Sequence, residues 1–401
     1  MSKTFLVGGA VRDKLLNYPY VERDWVVVGS SPEEMLAQGF KPVGKDFPVF
    51  LHPQTSEEYA LARTERKTAP GYSGFSFHTA PDITLEDDLK RRDLTINAIA
   101  EDSDGQLIDP YGGQGDIKDR YLRHVSEAFS EDPVRILRVA RFAARYHHLG
   151  FRVAQQTQAL MRHMVENGEA DHLVPERVWK EFEKALTEQS PGVFIEVLRA
   201  CGALAILLPE LDQLFSKALT EQTTHGDLRL SVLATASHTS NSAPIRFASL
   251  MNNTCDTAEV AEAQLKQACA RLATPKAYRD LALAVCRNQR QAEQLFQLSG
   301  GDLLGLLQRL DALRRPEKMH DFLNCCAAEH PIVNAAGPSA LTPPEFPQAE
   351  RLQQALDLCL AVTAQDLVAE GLSGKAIGDA MQQRRTEQLI QLQSRHHTAQ
   401  S

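Results

Sequence analysis

The pattern of hydrophobic and polar residues changes near residue 125 of this 401-residue chain. Before that point, short β-branched runs such as TFLV and DWVVVG alternate with helical segments and with the turn dipeptides GG and PG. From Ala128 onward, segments such as PERVWKEFEKAL and PGVFIEVLRACGAL repeat apolar residues at helical spacing and carry proline near the first turn. The pattern therefore predicts an α/β region followed by an all-α region.

A second change in the pattern comes late in the chain. Residues 330–347, HPIVNAAGPSALTPPEFP, are rich in proline, glycine and serine. A stretch of this composition is typical of a linker between compact parts. It predicts that a last helical segment forms a separate tail.

The composition narrows the class of protein. Hydrophobic residues make up 43% and charged residues 24% of the chain, as in a folded globular protein. No run reaches the roughly eighteen apolar residues of a membrane span, and no signal-peptide core follows the N-terminus. We therefore expect a cytoplasmic protein with no membrane partner. Seven cysteines, an odd number without a CxxC pair, predict reduced thiols rather than zinc ligands.

The net charge of −9 excludes a surface that is basic all over, so a nucleic-acid partner needs a local basic patch. The segment RILRVARFAARY offers one, because its arginines share a broad helical face with no acidic residue between them. These are Arg135, Arg138, Arg141 and Arg145. A solvated helix face is the alternative interpretation.

The segment LVGGAVRD, residues 6–13, predicts a strand, a double-glycine turn and the start of a helix. Such a turn presents backbone N–H groups and a helix N-terminus that can hold phosphate oxygens. Arg12 would point at the same anion. The alternative is a turn with a structural role only.

Glu22 and Asp24 follow, spaced so that both carboxylates project from one face of a strand that continues as WVVVG. Hard oxygen ligands of this kind suit Mg²⁺. Glu58 could supply a third carboxylate from a neighbouring strand, and three acids on one sheet permit a two-metal site for nucleotidyl transfer. An exposed polar face of an edge strand is the alternative.

The segment RRDLTINAIA, residues 91–100, is predicted to be helical, with Asp93 and Asn97 on one face. Arg92, at its start, is a candidate to clamp a triphosphate, because a guanidinium matches phosphate with paired hydrogen bonds. A solvated helix end would explain the same residue.

Taken together, GGAVRD, the carboxylate pair, RRDLTINA, IDPYGG and EDPVRILRVARFAARY resemble the class II CCA-adding enzymes of the polymerase-β superfamily. The resemblance is dense over residues 4–215 and thin beyond. It implies an α/β nucleotidyltransferase head followed by an all-α neck, body and tail. The expected bounds are 1–126 for the head, 127–190 for the neck, 191–330 for the body and 331–401 for an RNA-binding tail.

The resemblance also implies roles for single residues. Glu22 and Asp24 would hold Mg²⁺ in a two-metal site, with Glu58 as the third catalytic carboxylate. Glu22 stands where the family usually has aspartate, so the metal geometry could shift slightly. The residues that match the family's nucleotide contacts are Gly9, Arg12, Arg92, Arg138 and Arg141.

Glu131, Asp132 and Arg135 match the EDxxR motif, which acts as a protein template for the base in this family. An ionised aspartate only accepts hydrogen bonds and an arginine only donates them. Cytosine and adenine each present an amine donor beside a ring-nitrogen acceptor, whereas uracil and guanine present the opposite polarity. Mispairing would leave buried polar groups unsatisfied, at about 1 to 3 kcal/mol each. This complementarity predicts C and A addition without a nucleic-acid template.

Many relatives carry an HD-type metal-dependent phosphohydrolase domain after the neck. In this chain the matching stretch RFASL runs into Met251, Asn252, Asn253 and Thr254, so the His-Asp pair is absent. The upstream histidine expected in the preceding helix is replaced around Arg229, although His225 and His238 lie nearby in the sequence. Asparagine is a poor ligand for transition metals. We therefore predict a helical scaffold without phosphohydrolase activity.

The expected function is addition and repair of the tRNA 3′-terminal CCA from CTP and ATP, with the tRNA acceptor arm as partner. Within the same class, a poly(A) polymerase or an enzyme limited to CC or A addition shares the head. From another class, an inactive RNA-binding protein would fit if Glu22 disabled the metal site. We favour a monomer.

Overall fold

The computed structural model describes residues 2–43, 49–67, 75–254, 256–334 and 346–399. The chain separates into two compact units, Met1–Leu207 and Leu208–Ser401. Among the helices that the structure describes, none is long and apolar enough to cross a membrane. The four-part division into head, neck, body and tail stays a prediction.

The first unit begins with a mixed sheet of seven strands in the order β3-β4-β5-β2-β1-β8-β9. The central strand β2 is antiparallel to β1 and parallel to β5. Two further pairs, β6 with β7 and β10 with β11, lie outside this sheet. The strands are β1 Lys3–Val7, β2 Asp24–Val28, β3 Lys41–Val43, β4 Val49–Leu51, β5 Glu58–Leu61, β6 Thr64–Lys67, β7 Phe75–His78, β8 Ala100–Glu101, β9 Leu107–Ile108, β10 Tyr121–Leu122 and β11 Arg152–Val153.

Alternation along the strands gives the sheet two buried faces. Val26 of β2 packs with Phe5, Val7 and Ala100 on one face. The next residue, Val27, packs with Met35, Phe50 and Leu61 on the other. Successive side chains on a strand point to opposite faces, so β2 is packed on both faces of the sheet. This packing fixes the position of Asp24, the first residue of β2.

The helices of the first unit surround this sheet and continue beyond it. They are α1 Gly9–Leu15, α2 Pro32–Ala37, α3 Leu85–Lys90, α4 Gly113–Asp119, α5 Val134–Tyr146, α6 Gln155–Glu166, α7 Pro175–Thr187, α8 Pro191–Ala200 and α9 Ala203–Leu207. Helix α5 packs against α7 and α8. Proline at the first turn of α7 and α8 favours the start of each helix, because its fixed φ suits that position and its missing N–H would have no partner within the helix there.

In the second unit, the described elements are helices joined by turns and loops. Its helices are α10 Pro209–Asp212, α11 His225–Thr239, α12 Ala243–Met251, α13 Ala258–Arg271, α14 Lys276–Glu293, α15 Gly300–Arg309, α16 Pro316–Asn334, α17 Pro347–Ala361, α18 Ala364–Ala369 and α19 Lys375–Ala399. Helices α11, α12, α14 and α16 pack on one another. Leu228, Val232, Ala236 and Ala328 form a core between α11 and α16.

The predicted order, α/β and then all-α, is confirmed, but the structure differs from the sequence-based prediction at two segments. Residues 91–100 are not one helix: α3 ends at Lys90, and Thr95–Asn97 form a separate 3-10 turn. The side chain of Asp93 accepts a hydrogen bond from the Leu94 N–H at 2.9 Å, and such local bonds compete with helix formation. In the predicted linker, α16 continues to Asn334, and residues 335–345 lie outside the described ranges.

Candidate active site

The double-glycine turn lies between β1 and α1, as predicted. Gly8 has a φ of +71°, and a Cβ at this position would lie 2.9 Å from the Arg92 Nη1 atom. Only glycine meets both demands, because it adopts positive φ freely and leaves room for the guanidinium. The Gly-Gly turn and Arg92, which are far apart in sequence, therefore meet at the start of α1.

Two of the three predicted carboxylates lie side by side where two neighbouring inner strands of the sheet begin. Asp24 and Glu58 are register partners on the parallel strands β2 and β5. Glu22 is placed differently from the prediction, because β2 begins only at Asp24 and Glu22 precedes it on an exposed loop. Desolvation raises the pKa of Asp24, the charge of Arg92 lowers it, and the charge of Glu22 raises it again.

The charge and the oxygen atoms of these carboxylates suit a divalent cation. Asp24 loses hydration and feels the repulsion of Glu22, and a bound cation would offset both effects. Carboxylate oxygens are the ligands that Mg²⁺ prefers. No cluster of three or more His, Cys, Asp or Glu side chains in metal-binding reach occurs in the part of the chain that the structure describes. Glu22 and Asp24 as metal ligands therefore stay a prediction.

Arg12 is enclosed rather than open to a ligand. It is 4% exposed and donates through Nε and Nη2 to Asp13, at 2.8 and 2.9 Å, and through Nη1 to Asn97 at 2.5 Å. Asp13 also accepts the Tyr146 hydroxyl at 2.6 Å, and Tyr146 belongs to α5. Arg12 and Asp13 thus connect α1 to α5, while the neighbouring Gly9 begins α1.

Among the arginines predicted to bind the nucleotide, Arg138 has the most exposed side chain, with 38% of its surface accessible to solvent. Its Nε donates to Asp93 at 2.7 Å, and Asp93 also accepts Asn97 at 2.9 Å, so the predicted Asp93–Asn97 contact exists although the helix does not. Burial opposes ionisation of Asp93, but the charge of Arg138 and the hydrogen bonds outweigh it and lower the pKa well below its usual range.

The predicted base-template residues are both held in place. Arg135 donates to the carbonyl oxygens of Ala128 and Arg91, at 2.8 and 2.6 Å. Asp132 accepts the Val134 N–H at 3.0 Å and two hydrogen bonds from Arg177, at 3.2 and 2.9 Å. The sequence analysis did not single out Arg177, which lies on α7.

One turn after Arg177, helix α7 carries a second charged residue, Glu181, which pairs with an arginine of α5. Glu181 accepts the Arg141 Nε at 2.6 Å, and the Arg141 side chain is only 9% exposed. Arg177 and Glu181 have the i, i+4 spacing of one helix face, which is the signal that could have found them.

The arginines of α5 do not form an exposed basic patch, contrary to the sequence-based interpretation. Arg138, Arg141 and Arg145 each pair with a carboxylate from another element, and Arg135 is 8% exposed. The guanidinium carbons of Arg12, Arg138 and Arg141 lie 5.0, 5.6 and 4.5 Å from the Phe142 ring centroid. The structure therefore gathers three of the predicted nucleotide-binding residues around one aromatic ring.

The second unit brings together the residues expected to replace an HD site. Arg229 pairs with Glu329, and both side chains are 2% exposed or less. Asn252 donates to the same Glu329 at 2.9 Å and to Gln289 at 2.6 Å. Glu329, which the sequence analysis missed, accepts from both predicted positions, so an internal ion pair lies where the ligands of an HD site were expected.

Comparison with family models agrees with this geometry. Residues 4–123 match the model described as the poly A polymerase head domain. Residues 150–215 match the model described as the probable RNA and SrmB-binding site of polymerase A. The match to the head model places the chain in the class of nucleotidyltransferases with a poly(A) polymerase head.

Full-length relatives narrow this class. The chain is 52% identical to the multifunctional CCA protein of Teredinibacter turnerae, over 96% of this chain and 97% of the relative. It is 48% identical to the multifunctional CCA protein of Vibrio cholerae, over 95% and 98%. The chain belongs to the family of these CCA proteins.

Solved structures support the fold. A CCA-adding enzyme in an apo form has a TM-score of 0.66 at 21% identity, covering 100% of this chain and 92% of that one. The Thermotoga maritima CCA-adding enzyme in complex with tRNA has a TM-score of 0.65 at 20% identity, with the same coverage.

Proposed function

We propose that this chain adds the 3′-terminal CCA to tRNA, taking CTP and ATP as substrates and releasing pyrophosphate. The observation that carries this proposal is the identity of about half of all residues, over nearly the whole chain, with multifunctional CCA proteins. Solved structures with a similar fold include CCA-adding enzymes in complex with CTP, with ATP and with tRNA. The acceptor arm of tRNA is accordingly the proposed partner of the helical part.

Glu22, Asp24 and Glu58 are the proposed catalytic carboxylates, with Glu22 and Asp24 as Mg²⁺ ligands. Bound divalent cations would activate the RNA 3′-hydroxyl and stabilise the leaving pyrophosphate. The chain's own part is to hold the ligands: the pairing of β2 with β5 fixes Asp24 beside Glu58. Arg92, whose charge acts on Asp24, then lies close to where the triphosphate must bind.

The other predicted nucleotide-binding residues divide by exposure. Arg92 and Arg138 are 17% and 38% exposed, so they can contact a ligand directly. Arg12 and Arg141 are enclosed and bonded to carboxylates, so we propose that they shape the site from behind. Gly9 contributes its backbone at the start of α1.

Asp132 and Arg135 are the proposed template for the base. A carboxylate has roughly four acceptor positions, and three hydrogen bonds already reach Asp132, which leaves room for one amine of cytosine or adenine. Arg135 keeps N–H groups beyond the two that bind carbonyl oxygens. Because Arg177 holds Asp132 from α7, we propose that Arg177 positions the template carboxylate.

The test is incubation of the protein with tRNA lacking its 3′ end, Mg²⁺ and labelled nucleotides supplied singly and in combination. Two C residues followed by one A is the expected product. Long A tracts would indicate a poly(A) polymerase, and C or A alone would indicate a partial enzyme. Absence of any incorporation would overturn the proposal in favour of an inactive RNA-binding protein.

A further inference from the structure

Asp88 is a fully buried carboxylate beneath the arginines of the site, and the proposed chemistry gives it no role. It lies in α3, and its side chain is 0% exposed. A buried charge is costly unless it is paired and hydrogen-bonded. The partners of Asp88 therefore indicate what it does.

Those partners are arginines at the end of the same helix. Arg91 donates to Oδ1 from Nε and Nη2, at 3.1 and 2.7 Å, and Arg92 donates from Nη2 to Oδ2 at 3.2 Å. The backbone N–H of Arg63 approaches Oδ1 at 3.4 Å. Burial raises the pKa of Asp88, but the charges of Arg91 and Arg92 outweigh it, so the net shift is downward and the group stays ionised at neutral pH.

Arg92 is held at both ends of its guanidinium. Besides the bond to Asp88, its Nη1 donates to the Asn97 carbonyl oxygen at 3.4 Å and lies against Gly8. Its Nε–H is buried and has no acceptor within the described ranges. A guanidinium that is fixed in this way, with 17% of its side chain still exposed, is suited to bind an anion such as a phosphate oxygen.

Arg92 also interacts electrostatically with a second carboxylate. The charge of Arg92 acts on Asp24, the proposed metal ligand, so Arg92 lies within the field of both acids. We infer that Asp88 is a positioning residue that holds Arg92 for the triphosphate. This inference rests on the proposed role of Arg92.

The variant Asp88→Asn removes the charge with little change of shape. Without the charge-assisted hydrogen bond from Arg92 to Asp88, Arg92 is no longer held for the triphosphate. CTP and ATP share the triphosphate, so each should bind roughly tenfold more weakly when affinity is measured in EDTA. Unchanged nucleotide affinity in a folded Asp88→Asn protein would overturn the inference.

The matched control is Asp87→Asn, one position earlier in the same helix. Asp87 is exposed, and its carboxylate accepts the Thr84 N–H and hydroxyl in a capping box, at 3.2 and 2.6 Å. This control lowers the stability of α3 without touching the arginines. Equal loss of CTP affinity in both variants would mean that helix stability, not Arg92, is responsible, and would also overturn the inference.

A double-mutant cycle separates this inference from the proposed function. If Asp88 acts through Arg92, adding Asp88→Asn to Arg92→Ala should change CTP affinity by less than about twofold. Full additivity would contradict the inference. If Arg92→Ala alone left CTP affinity unchanged, the proposed triphosphate contact would fail as well.

Melting temperatures check folding for each protein. Should Asp88→Asn not fold, Asp88→Glu keeps the charge but displaces it by one methylene. That variant should fold and bind CTP several-fold more weakly, because Arg92 moves with its partner. Affinity equal to wild type would count against the positioning role.

Discussion

Two buried networks of arginine and carboxylate, one in each compact unit, use the same chemistry differently. In the first unit Arg138 pairs with Asp93 but keeps 38% of its side chain exposed. In the second unit Arg229 and Glu329 are both almost completely enclosed, and Asn252 completes the network. An arginine that is anchored on one side can still bind a ligand, whereas Arg229 and Glu329 neutralise each other inside the helical core.

The largest effect should come from the carboxylates of the first unit. Asp24→Ala should lower transfer on the order of a thousandfold, because it removes a proposed metal ligand. The measurement is C and A incorporation at saturating Mg²⁺, with the exposed turn variant Asp104→Asn as control. Activity near wild type would remove Asp24 from the metal site.

The next largest effect should come from breaking the ion pair of Arg229 and Glu329 in the second unit. Arg229→Met should lower the free energy of unfolding by about 3 to 5 kcal/mol, because Glu329 becomes a buried charge without its partner. The double variant Arg229→Met/Glu329→Gln should recover much of the loss. Denaturant titration measures both, and CTP affinity should stay unchanged. Equal stability of the two variants would contradict this account.

Base selection should respond less strongly. Asp132→Ala should reduce discrimination against UTP and GTP by about ten- to a hundredfold while triphosphate binding persists. Arg177→Met should give a smaller loss, because Asp132 remains but is no longer held. Single-nucleotide kcat/KM values test both. Unchanged selectivity in Asp132→Ala would end the template hypothesis.

A smaller effect depends on pH. The pKa of Asp93 is lower in the folded state than its usual value, so its contribution to stability is present above about pH 4 and is lost as the pH falls. Asp93→Asn should therefore be less stable than wild type at pH 7, and the difference should shrink towards pH 3. Thermal melting across this range tests it; a constant difference would contradict the assignment.

The smallest expected effect is none at all. Adding divalent metals to the purified protein should release no phosphate from phosphomonoesters, because asparagines and an ion pair occupy the expected ligand positions. Metal-dependent phosphatase activity, retained in a variant that lacks Asp24, would contradict this prediction.

The sequence by itself determined much of the first unit. Short β-branched runs predicted β1 and β2, and the double glycine predicted the turn before α1. Helical spacing of residues predicted α5, and the same spacing with proline near the first turn predicted α7 and α8. These features are local, so residue type and spacing suffice to predict them. The spacing of Asp24 and Glu58 could not reveal their pairing, which needed the parallel register of β2 and β5.

Only the tertiary structure decided how the charges are partnered. The arginines of α5 looked like a free basic face because their acids come from distant segments, with Asp93, Glu181 and Asp13 on other elements. Likewise Arg229 meets Glu329 across 100 residues. Chain folding brings such pairs together, and a pattern read along one helix contains no information about them. The sequence therefore determined which chemistry is present, and the fold decided which charges remain open to a ligand.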